Sequence, residues 1–430
     1  MLKRLFGFDR ERKYIKTEIF AGLTSFLTMS YILAVNPSIF SALDGMPKGA
    51  VFTTTALVAI VGTLIMAFIA KKPFGIAPGM GSNAFFVFTI CIGLGYPWRF
   101  ALTAVFIEGI ILFLLTLTNL REKIVHAIPR VIQQSLTIGI GLFISFVGLQ
   151  NAGIVVQDSS TMVRLGNITE GSGLLAVIGL ITTSVLMARN VKGGLLIGIL
   201  TTTLIGIPMG ITRYQGIISI PQSVEPVFCQ FEWDRILSVD MFVVVTSFLF
   251  IDLFSLTGAA LGLCIKGGFA DKDGKVPGIK GVFLADSIGT LTAGLFGTSA
   301  ACTLIESSSG VAQGGRTGLT AFTISVCFII SLFFSPLFLT IPAAATAPVL
   351  IIVGLMMFSS VNELPFDDMS EAIPGFITII TMPLTYSIAD GILIGFISYV
   401  VINLLCGNVK KLSPLMYILA GLFILKYIFL

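Results

Sequence analysis

The chain has 430 residues, of which 55% are hydrophobic and 11% charged, with a mean hydropathy of +1.00. That composition excludes a water-soluble globular enzyme, and a formal net charge of +4 is too small to signal nucleic-acid binding. Six cysteines (91, 229, 264, 302, 327 and 406) lie apart, mostly inside apolar runs and without a CxxC pair, so neither a disulfide framework nor a zinc site is expected.

The N-terminal MLKRLFGFDRERKYIK is basic and is not followed by a small-residue cleavage site, so the first apolar run is expected to stay in the mature protein. A bilayer crossing needs about 20 apolar residues. Runs of this kind fall at 17–37, 51–70, 75–94, 98–120, 127–150, 172–189 and 192–210. Thr212 to Asp240 is polar, and a second series follows at 241–263, 280–296, 297–314, 317–338, 341–361, 372–387 and 388–406. A last run, 413–430, either crosses the membrane or lies along its surface. With the N-terminus in the cytoplasm, only Lys48, Arg99, Arg164, Arg213 and Arg235 of the 26 Lys and Arg residues fall outside, Lys426 lying in the tail. Such an excess of inside positive charge predicts an all-α integral membrane protein of 14 spans in the cell membrane.

The two halves share a pattern. Thr24-Ser-Phe-Leu27 recurs as Thr246-Ser-Phe-Leu249 and Phe74-Gly75 as Phe296-Gly297, both at an offset of 222. Ile128-Pro129 and Gly141-Leu142 recur at an offset of 213, and Gly194-Leu-Leu-Ile-Gly198 at 197. Offsets that keep their order and shrink where loops can shorten predict a repeat. Seven spans per half is odd, so the second copy starts on the opposite face: two inverted 7-span repeats, an architecture of secondary transporters.

Two matching segments are unsuitable as continuous membrane helices. Phe296–Thr320 (FGTSAACTLIESSSGVAQGGRTGLT) is crowded with small and polar residues and carries Glu306. Its partner Phe74–Phe86 (FGIAPGMGSNAFF) contains Pro78 and three glycines. Interrupted segments at corresponding positions point to a transporter's binding site, where short helices begin at mid-membrane. Glu306 aligns with Ala84, beside Asn83, and Asp252 sits in the middle of the otherwise apolar MFVVVTSFLFIDLFSLTGAAL. A carboxylate is expensive at that depth and is a functional-site hypothesis by default. The candidate substrate-binding set is therefore Asn83, Asp252, Glu306 and Ser307, with Phe85 placed to stack on a flat ligand. Asp252 and Glu306 are the candidates for carrying a coupled proton.

Structural readings stand beside these. Thr303-Leu-Ile-Glu306 fits a capping box, Asn83 fits a helix cap, and Asp252 fits a local bond to neighbouring Ser or Thr hydroxyls. Glu108 has no repeat counterpart and reads first as a packed residue. Asp286 and Asp390 are expected to face water near span ends, His126 to lie at an interface, and Arg316 to anchor a cytoplasmic end. Gly310 to Thr317 mimics a phosphate loop with Arg in place of Lys, but it lacks the strand and soluble domain such a loop requires. No cofactor or metal is expected, and there is no His-rich, Cys or paired-carboxylate set for a membrane enzyme.

APGMGSNAFF (77–86), IPRVIQQSLTIGIGLFISFVGLQNAGI (128–154), FIDLFSLTG (250–258) and IESSSGVAQGGRTGLTA (305–321) resemble the nucleobase permeases, specifically the adenine/guanine/hypoxanthine group. The resemblance implies a core domain of spans 1–4 and 8–11 (17–120 and 241–338) and a gate domain of spans 5–7 and 12–14 (127–210 and 341–406). It also implies short antiparallel strands in spans 3 and 10, acidic contacts to a purine from Asp252 and Glu306, and a homodimer through the gate. The expected function is proton-coupled purine uptake; a carrier of the same architecture for uracil, xanthine or a small anion is the alternative. Ser255 stands where purine permeases of this type often carry a second acid, which leaves the choice of base open.

Overall fold

The computed structural model describes residues 2–8, 14–118, 120–121, 129–253, 257–270 and 276–429, so His126 and Ser255 lie outside the described residues. The first half holds α1 (Leu2–Phe6), α2 (Ile15–Met29), α3 (Ile32–Phe40) and α4 (Lys48–Ile65). After these come β1 (Ile76–Pro78), α5 (Met80–Ala84) with a π-helical continuation Phe85–Gly93, α6 (Trp98–Leu117) and α7 (Arg130–Asn151). A hairpin, β2 (Val155–Asp158) and β3 (Met162–Leu165), precedes α8 (Gly171–Ala188) and α9 (Gly194–Gly206). The second half runs through α10 (Val239–Ile251), α11 (Thr257–Lys266), α12 (Ile279–Phe296), β4 (Ala301–Thr303) and α13 (Ser308–Ala312). It ends with α14 (Gly318–Ser331), α15 (Ser335–Leu339), α16 (Ala343–Phe358), α17 (Met369–Thr385), α18 (Ile388–Leu405) and α19 (Pro414–Phe429).

Among the described residues, nine helices are long and apolar enough to cross a bilayer. The molecule is thus a mostly helical, multi-pass membrane protein. Several other segments read as spans from hydropathy are shorter or interrupted: α9 and α10 have 13 residues each, and 75–94 and 297–314 each break into a strand and a short helix.

The heaviest helix contacts fall into two sets. α6 and α4 pack on α12, α14 packs on α2 and α4, and α10 packs on α6. In the other set α7 packs on α16 and α17, α17 on α18, and α8 on α9 and α16. Small residues allow the close approaches, as is usual where lipid supplies no hydrophobic drive between helices. At Gly318, which opens α14, an added Cβ would lie 2.0 Å from the carbonyl oxygen of Ala67.

The segment between α7 and α8 shows no strand alternation in sequence, yet it folds into the β2–β3 hairpin. Asp158 closes its turn by accepting from the Ser160 and Thr161 amides at 2.9 and 3.1 Å. Those donors stabilise the charged form and hold the Asp158 carboxyl below its ordinary range. Beyond α18, Lys411 donates to Asp368 and Glu371 at 2.7 and 2.8 Å and ties the start of the C-terminal segment to the start of α17. This contact helps hold Asp368 down to about 2.

Because the atom facing Gly318 is backbone and cannot swing aside, Gly318→Ala is expected to destabilise the protein by about 1–3 kcal/mol. A thermal melt of the detergent-solubilised protein reads this directly. An unchanged melting temperature would mean that α14 shifts away from the Ala67 carbonyl without cost.

Candidate functional site

At membrane depth an unpaired peptide group has no water to turn to. Here the two broken segments satisfy each other. β1 and β4 pair antiparallel, with Ile76 opposite Thr303, Ala77 opposite Cys302 and Pro78 opposite Ala301. The Gly79 amide donates to the Ala300 carbonyl and the Leu304 amide to the Gly75 carbonyl, each at 3.0 Å. Pro78 removes one donor from this short ladder, which limits its length. Hydroxyls on the flanking helices hold the outer edges. Thr63 accepts from the Ile76 amide at 2.9 Å and Thr290 donates to the Ala301 carbonyl at 3.0 Å.

The crossing strands and the residues after them form one wall of a cavity of about 140 Å³. Ser82, Asp252, Cys302, Thr303 and Glu306 line it on this side, together with Tyr31 from the α2–α3 junction. The opposite wall comes from Thr137 of α7, Val353, Met356 and Met357 of α16, and Ser359 and Ser360 beyond it. The cavity therefore lies between the two sets of packed helices. Among the described residues its wall contains two carboxyl groups and no Lys, Arg or His. Glu306 and Met356 also border a second cavity of about 340 Å³ that extends to Asn190 and Lys192 in the α8–α9 turn.

Glu306 is 6% exposed, and its Oε1 accepts from the Tyr31 hydroxyl at 2.6 Å. The capping box with Thr303 is not formed. Thr303 Oγ1 instead donates to Asp286 at 2.7 Å, and the residue preceding the short turn, Leu304, has no side-chain cap. Asp252 sits where α10 loosens into a π-type turn, 1% exposed, and its Oδ1 accepts from Ser82 Oγ at 2.9 Å. Its Oδ2 has no hydrogen-bond partner among the described residues.

Asn83, Phe85 and Ser307 lie behind this wall rather than in it. Successive helical residues point about 100° apart, so with Ser82 turned to the cavity its neighbour Asn83 faces elsewhere. Asn83 accepts a hydrogen bond from Ser299 and so stitches the two broken segments together. Phe85 packs edge-on against Phe248 of α10, with ring centroids 4.8 Å apart. Ser307 Oγ accepts from the Gly75 amide at 3.0 Å, at the end of the strand pair.

Several site-forming groups were not singled out from sequence. Tyr31 is a hydroxyl-bearing aromatic in an apolar span, a signal too common to select on its own. Ser82 is hidden by its more conspicuous neighbour Asn83. Asp286 is a correction: it does not face water but is fully buried in α12, bonded to Thr303. Glu108 is also fully buried, on α6, which packs on α10 and brings its carboxyl near that of Asp252. At the far end of the segment, Glu18 accepts from the Arg316 and Thr317 amides at 3.2 Å and from Thr320 Oγ1 at 2.5 Å, fixing the start of α14. Arg316 is half-buried there, donating to the Val311 and Gly315 carbonyls, which accounts for the arginine in the phosphate-loop look-alike.

Residues 16–394 match a family described as Permease family. The chain belongs to that family. The adenine permease AdeP of Escherichia coli strain K12 is 41% identical over 430 residues, covering 100% of this chain and 96% of its own length. The guanine/hypoxanthine permease PbuG of Bacillus subtilis strain 168 is 42% identical over 443 residues, covering 100% of both chains. Among solved structures, the transmembrane domain of the cyanobacterial bicarbonate transporter BicA superposes with a TM-score of 0.66 at 15% identity, covering 90% of this chain and 98% of that one. At that identity the likeness concerns the fold alone. This permease is accordingly a membrane transporter and not an enzyme.

Within this permease, Tyr31 supplies the side-chain donor that orients Glu306. A hydrogen bond to a charged group contributes about 1.5–3 kcal/mol. Tyr31→Phe is therefore expected to raise the KM for uptake by about 10- to 100-fold, with normal amounts of protein in the membrane. An unchanged KM would show that Glu306 is held in place without Tyr31.

Proposed function

We propose that this permease takes up purine nucleobases, coupled to the inward movement of protons. The observation that carries the reading is the chemistry of the cavity wall: two buried carboxyl groups, several hydroxyls and, among the described residues, no cationic side chain. A purine is flat and neutral and presents N–H donors on its ring edge, which carboxylate oxygens accept. An anion would meet two acids and, among the described residues, no cationic side chain in the wall itself, so in this reading the likeness to a bicarbonate transporter does not extend to its substrate. The names of the close relatives, adenine and guanine/hypoxanthine permeases, support the same class of ligand.

In this reading Asp252 and Glu306 contact the base directly, while Asn83, Phe85 and Ser307 act one layer behind, by fixing the strands and α5. The chain is read as 14 spans in two inverted repeats with a cytoplasmic N-terminus, the final segment 413–430 belonging to neither repeat. The two sets of helix contacts support a core domain (17–120 and 241–338) and a gate domain (127–210 and 341–406). The cavity sits between them, where an elevator-like slide of one against the other would alternate its access. The second cavity bordered by Glu306 leads toward Lys192, a residue the charge pattern assigns to the cytoplasm, and serves as the exit path. Such a carrier works as a homodimer through its gate domain, in the cell membrane.

The test is uptake of labelled hypoxanthine, guanine, adenine and uracil by a transport-deficient host, each with and without protonophore. Accumulation of at least one purine, abolished by protonophore, is the expected result; uptake that persists under protonophore overturns proton coupling. A base lacking the matching N–H leaves a buried acceptor unpaired, at about 1–3 kcal/mol, so discrimination of about 5- to 150-fold between purines is expected. Glu306→Gln should reach the membrane and lose purine binding, whereas wild-type uptake by that variant would assign Glu306 a purely structural role.

A further inference from the structure

Behind the cavity wall lies a cluster of buried charge that substrate contact does not explain. Glu108 sits midway along α6, fully buried, and does not line the cavity. Both of its carboxyl oxygens lack a hydrogen-bond donor among the described residues, as does Asp252 Oδ2. Yet α6, which carries Glu108, packs on α10, which ends at Asp252, and the two carboxyl groups are close enough to interact directly across that contact. Two carboxylates cannot satisfy one another; a carboxylic acid and a carboxylate can, with one proton between them.

The surroundings keep this pair dry and in place. α6 packs tightly on α12 because Gly109, beside Glu108, has no side chain; a Cβ there would lie 2.8 Å from the Leu291 backbone nitrogen. The titratable groups facing the pair are Arg121, Asp286 from α12 and Cys302 from β4. Arg121 is fully buried and spends its Nη1 on the Phe283 carbonyl at 3.2 Å and on Ser287 Oγ at 3.5 Å, with its guanidinium over the Phe283 ring. Its Nε and Nη2 are unpartnered among the described residues. The guanidinium thus acts as a fixed positive charge near the acids rather than as a direct ion-pair partner of either.

We propose that Glu108 is the proton-holding partner of Asp252. Asp252 faces the ligand on one side and Glu108 on the other. When the cavity is empty and open to the outside, one proton taken from the outer side lies between the two carboxyls and their combined charge is −1. When a purine donates an N–H to Asp252, the shared proton settles on Glu108: the O–H bond to Asp252 breaks, the O–H bond to Glu108 forms, and the pair's charge is unchanged. Base and proton are then carried together, the base on Asp252 and the proton on Glu108. Once the base has left on the inner side, the Glu108 O–H bond breaks and the proton passes to cytoplasmic water. The emptied pair, its charge offset by Arg121, takes its next proton from outside. This also gives a reason for a carboxyl in the middle of α6, where a purely structural residue would be apolar.

The inference rests on the proton-coupled purine reading above, and its test separates the two. Full-length wild type and Glu108→Gln are reconstituted in liposomes with the purine that wild type accumulates best. Gln keeps the size and offers Asp252 an amide donor but cannot carry the proton. Expected is a split: accumulation driven by an imposed pH gradient falls by about tenfold or more, as does substrate-driven proton entry followed by a pH-sensitive dye. Exchange of labelled for unlabelled purine at equal pH should fall less than about threefold, a far smaller change than loss of coupling produces. Glu108→Asp, which retains an acid, should recover part of the accumulation and serves as the readout if the Gln variant does not fold. Accumulation at the wild-type level in Glu108→Gln would overturn the role of Glu108 alone. Equal loss of exchange and accumulation in both variants would assign Glu108 to packing and overturn it as well. A wild type that shows no proton entry with purine would instead overturn the parent reading.

Discussion

The structure depends on one constraint: peptide groups at membrane depth must find partners within the protein. A continuous helix meets this by itself, but Phe74–Phe86 and Phe296–Thr320 cannot form one. Their solution is mutual, three residues of β1 paired with three of β4. Neither segment is stable without the other, so two stretches more than 200 positions apart must meet. The point where they meet is necessarily a place where polar groups cluster inside the membrane.

That meeting point determines what surrounds it. Strand ends leave short helices and turns starting near the middle of the protein, and the side chains that follow them, Ser82 and Glu306, reach the same cavity. Hydroxyls from α4 and α12 and the Asn83–Ser299 contact fix the pair laterally. Tyr31 fixes Glu306 and Ser82 fixes one oxygen of Asp252. Each acid therefore keeps a defined direction in a site where a free carboxylate would be costly. Behind them, the tight α6–α12 contact encloses Glu108, Arg121 and Asp286, so the polar site has a charged layer at its back and, in front, a hydroxyl-bearing wall from α7 and the end of α16.

The architecture also separates fold from specificity. A bicarbonate transporter shares the fold at 15% identity, whereas this cavity presents two acids and no cation. Among the described residues the wall carries two acids and no basic side chain, which sets its charge apart from the fold it shares.

By itself the sequence determined the membrane class, most span positions, the pairing of the two interrupted segments and the prominence of Asp252 and Glu306. These are legible because burying charge or breaking a helix in lipid is so costly that each instance stands out against an apolar background. Only the tertiary structure decided which neighbours face the cavity: Ser82 rather than Asn83, Tyr31 rather than Phe85, and Glu306 bonded to Tyr31 rather than capping a turn. It also moved Asp286 from the water to the core and brought Glu108 against Asp252. Side-chain direction depends on the rotation of each helix and on contacts between residues far apart in the chain. Hydropathy and spacing carry no record of either.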